Sequence, residues 1–385
     1  MPKKQKLEAR VVDEIPQQRK SKEEVIEKLN MELGKFDQNE NKIYFFIVDS
    51  KQNPSGSQFY LYNFAYNLLE LGYNVEMLYQ IDDDDEFVGV GEVFGEKYMT
   101  DIPHRNVKKD KTNINISDIL IIPEVFSSLM HETKKLPCKR IILCQSFTLI
   151  PETLPVAVEF GSHGILDVIT TSQKQKDLLL EVMPYLRVVV IEPFISPLFF
   201  EKLSREKDLQ VSIVTNDRSA ANRIVKFFYL KYPILKFVSF KNLAGLPQEL
   251  FADELEKSVA CVWYDYFTNF GYTPLEAMRC GTIPICVIPE EPSDWMSKEG
   301  GLVDSVIWCS NLNTIHNAIS TVITTFLEDN IPIEFKHNMK QFDDKFSKEN
   351  QKNQIQIVFE DYIEKQKEQI NEILNNLGTS EKQKE

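Results

Sequence analysis

Residues suited to chemistry concentrate in one stretch of the chain, Thr268-Asn-Phe-Gly-Tyr-Thr-Pro-Leu-Glu-Ala-Met-Arg-Cys-Gly-Thr-Ile-Pro-Ile-Cys286. Gly271 ends a loop, Thr273 can cap a helix, Pro274 suits the first helical position, and Gly281 stops the helix. The pattern predicts a short helix followed by an apolar strand. The free N–H groups at the start of such a helix form a site for an anion.

A strand predicted at 259–264 comes directly before this helix. A helix that begins where a parallel strand ends presents its N-terminus at the carboxyl edge of the sheet, where α/β proteins bind their ligands. A second interpretation stays open, because Thr273-Pro-Leu-Glu276 also fits a capping box. In that case Glu276 would only satisfy the helix end.

The residues Phe270-Gly-Tyr-Thr-Pro-Leu-Glu-Ala-Met-Arg-Cys-Gly-Thr-Ile-Pro-Ile285 resemble the signature of the retaining, nucleotide-sugar-dependent glycosyltransferases of GT-B fold. In that family a glutamate, seven residues and a second glutamate lead into Ala-Met and a Gly-x-Pro turn. Glu276 matches the second glutamate, which holds the ribose hydroxyls of the donor. The first glutamate, which meets the donor sugar, falls on Thr268. Asp265, three residues earlier, is a candidate for the missing carboxylate.

The resemblance implies that a nucleotide-sugar donor binds beside this helix. Candidate donor-binding residues at the helix start are Asn269, Phe270, Gly271, Tyr272 and Thr273. The candidate catalytic residues are Asp265, Thr268 and Gln145. Gln145 is included because it directly follows a buried strand, at the sheet edge where binding groups gather. The resemblance implies no metal and no cofactor, so the acidic run 82–86 is interpreted as a solvated loop.

A loop of small residues lies near the start of the first predicted sheet, between a strand at 43–48 and a helix that runs to Gly72. Gly56 allows close backbone approach, and Ser57 can donate a hydrogen bond to phosphate. The loop resembles the one that faces the donor diphosphate in the family. Taken alone, such a loop is also an ordinary turn.

Three basic residues begin the second half of the chain, after a strand predicted at 211–214. In the family, a basic pair at this position neutralises the donor pyrophosphate. Arg218 lies in the loop, and Arg223 and Lys226 share one face of the following helix because they are three residues apart. The alternative is that Arg223 and Lys226 are only solvent-exposed residues of a surface helix.

Composition limits the class of protein. A chain of 385 residues exceeds what one hydrophobic core usually serves, so two domains are expected. The net charge of -14 argues against general nucleic-acid binding. The six cysteines contain no Cys-x-x-Cys pair and are expected to be reduced core residues. No transmembrane segment or signal peptide is recognised, so a cytoplasmic location is expected.

The predicted fold is α/β, with two doubly wound, Rossmann-like domains facing a cleft, as in GT-B proteins. The predicted strands are 43–48, 75–79, 119–122, 140–144, 168–171, 188–192, 211–214, 235–240, 259–264, 283–288 and 305–309. The predicted units are a polar extension (1–40), an acceptor-side domain (41–195), a nucleotide-sugar-binding domain (196–345) and a C-terminal helix and tail (346–385). The resemblance implies that this helix crosses back to the first domain.

The favoured function is transfer of a sugar from a nucleotide-sugar to an acceptor hydroxyl on a glycan, a lipid-linked sugar or another molecule. Retention of configuration and independence of metal are implied by the resemblance. The alternative is a catalytically degenerate GT-B protein that binds a nucleotide-sugar or a protein partner. Phosphorylases and epimerases also use this fold, although no motif for a pyridoxal lysine is present. A transferase acting on modified DNA bases is disfavoured by the acidic charge.

Overall fold

The computed structural model describes residues 21–49, 55–82, 86–199, 207–265, 270–289, 292–297, 305–328 and 344–382. The predictions for Thr268, Asn269 and the first twenty residues of the extension lie outside these ranges.

Strands and helices alternate through the first half. The helices are α1 (Lys22–Asp37), α2 (Gly56–Glu70), α3 (Gly91–Phe94), α4 (Lys97–Thr100), α5 (Ser127–Glu132), α6 (Ile150–Thr153) and α7 (Gln173–Val182). The strands are β1 (Lys42–Phe46), β2 (Asn74–Tyr79), β3 (His104–Asn106), β4 (Ile119–Pro123), β5 (Lys139–Cys144), β6 (Asp167–Thr170) and β7 (Arg187–Val190). The six strands predicted here are confirmed, and β3 was not predicted.

The first sheet is parallel, with strand order β3-β2-β1-β4-β5-β6-β7. Ile43 and Phe45 of β1 pack into one core, while Tyr44 and Phe46 pack into the core on the other face. Burial on both faces explains why these strands are continuous apolar runs. The strand order reverses between β1 and β4, so the loops after these two strands diverge and leave a crevice.

The second half forms a second α/β unit. Its strands are β8 (Asp208–Val214), β9 (Ser239–Asn242), β10 (Ser258–Trp263), β11 (Ile283–Val287) and β12 (Ile307–Cys309). Its helices are α8 (Arg218–Lys231), α9 (Gln248–Lys257), α10 (Tyr272–Arg279) and α11 (Ile315–Leu327), and α12 (Lys348–Lys382) ends the described chain.

The second sheet is also parallel, with order β12-β11-β10-β8-β9 and a reversal between β8 and β10. The bounds predicted for one strand, 235–240, are wrong. Pro233–Leu235 is a 3-10 turn, and β9 begins at Ser239. Proline fixes the backbone at the helical φ and removes an N–H, so it favours the turn over the ladder.

The long helix α12 returns to the first half of the chain, as predicted. Ile355 and Phe359 are fully buried in the core beside β1 and α2. Asn67 on α2 donates to the side chain of Gln351 at 2.7 Å. Farther along, Ile370 packs with residues of α1. The helix therefore completes the core of the first domain although it comes last in the sequence.

Candidate functional site

A cavity of about 640 Å³ lies between the two sheets. Its wall contains the segments that directly follow β1 and β4 in the first sheet, and those that follow β8 and β10 in the second. These are the strand pairs at which each sheet reverses its order. The two crevices thus open toward each other, and the cavity is the place where the fold itself predicts ligand binding.

Glu276 lies on α10 in the wall of this cavity. Its side chain is buried, with 7% of its surface exposed, and it makes no hydrogen bond or ion pair with any described residue. Burial raises the pKa of its carboxyl to about 8. An unpaired buried carboxyl costs free energy unless a ligand or water donates to it, so Glu276 is a candidate for ligand binding.

The capping-box interpretation of Glu276 is wrong. The helix begins at Tyr272, its N-cap is Gly271, and no side chain caps it. Thr273, predicted as the cap, is the second residue of the helix, and Pro274, predicted at the first position, is the third. The carboxyl of Glu276 is therefore not used in capping and is available to a ligand in the cavity.

Packing around Gly271 explains where the helix starts. Gly271 has φ +72°, and a Cβ there would lie 2.5 Å from Cε of Met296 and 3.2 Å from Cη2 of Trp263. Behind it, Nε1 of Trp295 donates to the carbonyl of Phe270 at 2.6 Å. A left-handed glycine held between aromatic rings fixes the direction in which the N–H groups of α10 point.

The first domain approaches this helix closely. The ring of Tyr272 packs edge-on against Phe59 of α2, with centroids 5.7 Å apart. A Cβ on Gly56 would lie 3.3 Å from Cδ2 of Tyr272. Ser57 also lines the cavity, and Ser55 caps α2 by a capping box with Gln58. The N-termini of α2 and α10 thus meet at one wall of the cavity.

Glu124 is a cavity residue that was not among the candidates. It follows β4, is buried, and accepts a hydrogen bond from the backbone N–H of Ser146 at 2.9 Å. Burial raises its pKa to about 7 against the lowering effect of backbone hydrogen bonds. Gln145, a candidate, lies beside it in the wall, and its carbonyl accepts from Gln175. In the sequence, the signal that could have identified Glu124 is its position directly after a buried strand.

The cavity wall was expected to carry basic residues that neutralise the donor pyrophosphate, but it carries acidic ones. The charged residues in the described part of the wall are all acidic: Asp49, Glu124, Asp265 and Glu276. No lysine, arginine or histidine among the described residues lines it.

The three basic candidates lie elsewhere. Arg218, Arg223 and Lys226 are exposed on α8 and do not line the cavity. The reason is helical spacing, since Ile224 and Phe228 of the same helix face the sheet. Within the described residues, no group of three side chains is placed to ligate a metal ion. No helix in the described part of the chain has the length and apolarity needed to span a membrane.

Several solved structures of similar architecture are glycosyltransferases. The pneumococcal O-GlcNAc transferase GtfA, in complex with UDP and GlcNAc, has a TM-score of 0.57 at 10% identity, over 85% of this chain and 99% of its own. A glycosyltransferase from Rickettsia africae has a TM-score of 0.54 at 11% identity, over 83% and 98%. An alpha-glucosyltransferase in complex with UDP and DNA containing an HMU base has a TM-score of 0.52 at 13% identity, over 82% and 99%.

These likenesses confirm the predicted fold class: the chain has the GT-B fold of two facing Rossmann-like domains. No protein-family model and no curated protein matches the sequence.

Proposed function

We propose that this chain transfers a sugar from a nucleotide-sugar donor to an acceptor hydroxyl. The observation that carries the proposal is Glu276, a buried carboxyl that has no partner among the described residues and lies in the wall of the cavity between the two GT-B domains. It lies at the position that the sequence resemblance assigns to the donor ribose. UDP is the first nucleotide to test, because two proteins of similar fold bind it.

An ionised Glu276 can accept hydrogen bonds from both hydroxyls of a ribose. Because burial raises its pKa to about 8, it is mostly protonated at neutral pH when the cavity holds only water. Hydroxyl donation favours the ionised form, so donor binding is coupled to release of a proton. Donor affinity should therefore increase with pH between about 6 and 8, by at most about tenfold per pH unit.

The donor diphosphate would lie against the helix N-termini. The start of α10 at Tyr272 and Thr273, directly after its N-cap Gly271, and the start of α2 at Gly56 and Ser57 both border the cavity. Their free N–H groups and helix dipoles stabilise negative charge as it develops on the leaving group. Metal independence and retention of configuration belong to this proposal and rest on the motif resemblance. The first-domain wall, with Gln145 and Glu124, would face the acceptor.

Thermal stabilisation tests the proposal. The purified chain is heated with UDP-, GDP-, dTDP- and ADP-sugars, first without and then with a divalent ion. A ligand that binds only the folded state raises the melting temperature, and we expect one donor class to do so without metal. Glu276→Gln should weaken donor binding by roughly 10- to 100-fold, as expected for lost hydrogen bonds to a charged group. Glu249→Gln, on exposed surface of α9, is the matched control.

A second candidate function is a GT-B protein that binds a donor or a protein partner without catalysis. It is favoured by the acidic wall of the cavity and by Thr268 at the position of the first motif glutamate. The two functions differ in turnover. Release of free nucleotide from the stabilising donor, lost in Glu276→Gln, would establish the enzyme. Stabilisation without any release would establish the binding protein, and no stabilisation by any donor would contradict both donor-based functions.

A further inference from the structure

The end of α8 and the turn after it carry exposed apolar side chains. Leu230 is 78% exposed, Ile234 83% and Phe237 56%, and Phe227 lies one helical turn before Leu230. These four residues, here named the apolar ridge, lie within one short stretch of chain. Single exposed apolar residues are ordinary on protein surfaces, but a group of large ones at one place indicates an interaction site.

The apolar ridge is held rigidly. The hydroxyl of Tyr229 donates to the carbonyl of Val238 at 2.7 Å, so the two ends of the turn are joined. Lys231 and the hydroxyl of Tyr232 both donate to the side chain of Asn317 on α11, at 2.6 and 2.8 Å. The exposed side chains thus project from a fixed backbone, and little conformational entropy is lost when a partner covers them.

Exposed cations flank the apolar ridge. Arg223, Lys226 and Lys236 are exposed and form no ion pair with any described residue. The sequence from 218 to 248 contains six lysines and arginines and no aspartate or glutamate. The whole chain carries a net charge of -14, so this segment is a local reversal of sign. Such a reversal selects an anionic partner.

We propose that the apolar ridge and its flanking cations dock the protein on a membrane surface that contains anionic phospholipid. In a bilayer the headgroup phosphates lie above the acyl chains. The projecting apolar side chains would contact the acyl chains, and the lysines and arginines beside them would contact the phosphates. A nucleic acid would pair with the cations but leave Leu230 and Ile234 in water. The ridge is a projection at a helix end, and a fluid bilayer accommodates a projection without a complementary groove.

This orientation leaves the cavity accessible. α8 begins at the carboxyl edge of the second sheet, where the cavity lies, and its 14 residues run back about 20 Å to the apolar ridge. Membrane contact therefore occurs at the end of the domain remote from the cavity. The docking surface is independent of the proposed sugar transfer, and each can be right without the other.

Vesicle sedimentation tests the docking surface with the full chain. We expect it to sediment with vesicles of phosphatidylcholine and phosphatidylglycerol but not of phosphatidylcholine alone, and less strongly in high salt. The double variant Leu230→Ser, Ile234→Ser should bind about tenfold more weakly because it removes the inserted surface. Lys226→Glu with Lys236→Glu should have a similar effect through charge.

Matched controls lie far from α8 in the fold. Val156→Ser removes a fully exposed apolar side chain of the first domain, and Lys28→Glu reverses an exposed charge on α1. Both should bind vesicles as the unmodified chain does. Phe237→Trp offers a second readout, because its emission should shift to the blue when anionic vesicles are added.

Three results would overturn the docking surface. One is the absence of sedimentation with anionic vesicles at low salt together with an unshifted Phe237→Trp emission. Another is an equal loss of binding in the control variants. The third is binding to duplex DNA, without vesicle binding, that the lysine variant loses and the serine variant keeps, since that pattern would assign the surface to nucleic acid.

Discussion

At the scale of single residues, Glu276 links stability to pH. Its pKa is about 8 in the folded chain and near 4.5 when unfolded. Between these values the folded state retains a proton that the unfolded chain has released, so rising pH favours unfolding. The contribution that the protonated carboxyl of Glu276 makes to the free energy of unfolding is complete below about pH 4.5. It is lost as the pH rises through 8. Glu124, with a pKa raised to about 7, acts in the same direction.

The variant Glu276→Gln isolates this effect. We expect it to match the unmodified chain in stability near pH 5 and to exceed it at pH 8.5, by on the order of a few kcal/mol, because one pKa unit corresponds to about 1.4 kcal/mol. Urea unfolding at several pH values measures the difference. Burial lowers the pKa of His104, which makes stability rise with pH. This opposite effect cancels when the variant is compared with the unmodified chain, because both contain His104. Equal pH profiles would show that the carboxyl is ionised in the folded chain.

At the scale of elements, a carboxylate joins the two domains. Asp294, in the loop behind α10, accepts hydrogen bonds from the backbone N–H groups of Gln173 at 2.7 Å and Lys174 at 2.9 Å. Ser172 accepts from the N–H of Gln175, so the first turn of α7 is satisfied by both domains. The contact holds the domains together on one side of the cavity.

Removal of this contact should loosen the domains. Asp294→Ala leaves two helix N–H groups without an acceptor, which costs roughly 0.5–2 kcal/mol. We expect faster hydrogen exchange at the start of α7 and a larger radius of gyration in small-angle scattering. Ser172→Ala is the control, since it weakens the same helix end from within the first domain and should leave the radius unchanged. An unchanged radius in both variants would mean that other contacts hold the domains.

The elements also show what sequence patterns can and cannot predict. Buried parallel strands such as β4 are continuous apolar runs, so they were recognised. The edge strand β3, His104–Asn106, has no apolar residue and was missed. The start of α10 was misplaced because the side chains that pack around Gly271, those of Trp263, Trp295 and Met296, come from other segments of the chain. Helical spacing predicts one shared face for Arg223 and Lys226, but only the tertiary structure shows that this face is remote from the cavity.

At the scale of the whole molecule, the last helix belongs to the first core. Phe359 on α12 is fully buried and packs edge-on against Phe64 of α2, with ring centroids 5.8 Å apart. The pairing of Glu70 with Lys348 and Lys352 adds contacts at the surface. The periodicity of α12 predicted an apolar face, and the resemblance to GT-B proteins predicted the partner of that face.

Phe359→Ala should therefore destabilise the first domain, although the substitution lies near the C-terminus. Truncation of a buried phenylalanine costs about 3–5 kcal/mol through lost burial and the resulting cavity. Ile357→Ala, on the exposed face of the same helix, should change stability by less than about 0.5 kcal/mol. Hydrogen exchange at β1 and β2 reports the first domain separately from β10 and β11. Equal acceleration in both sheets would mean that the domains unfold as one unit, whereas acceleration confined to β1 and β2 would show that α12 stabilises the first domain alone.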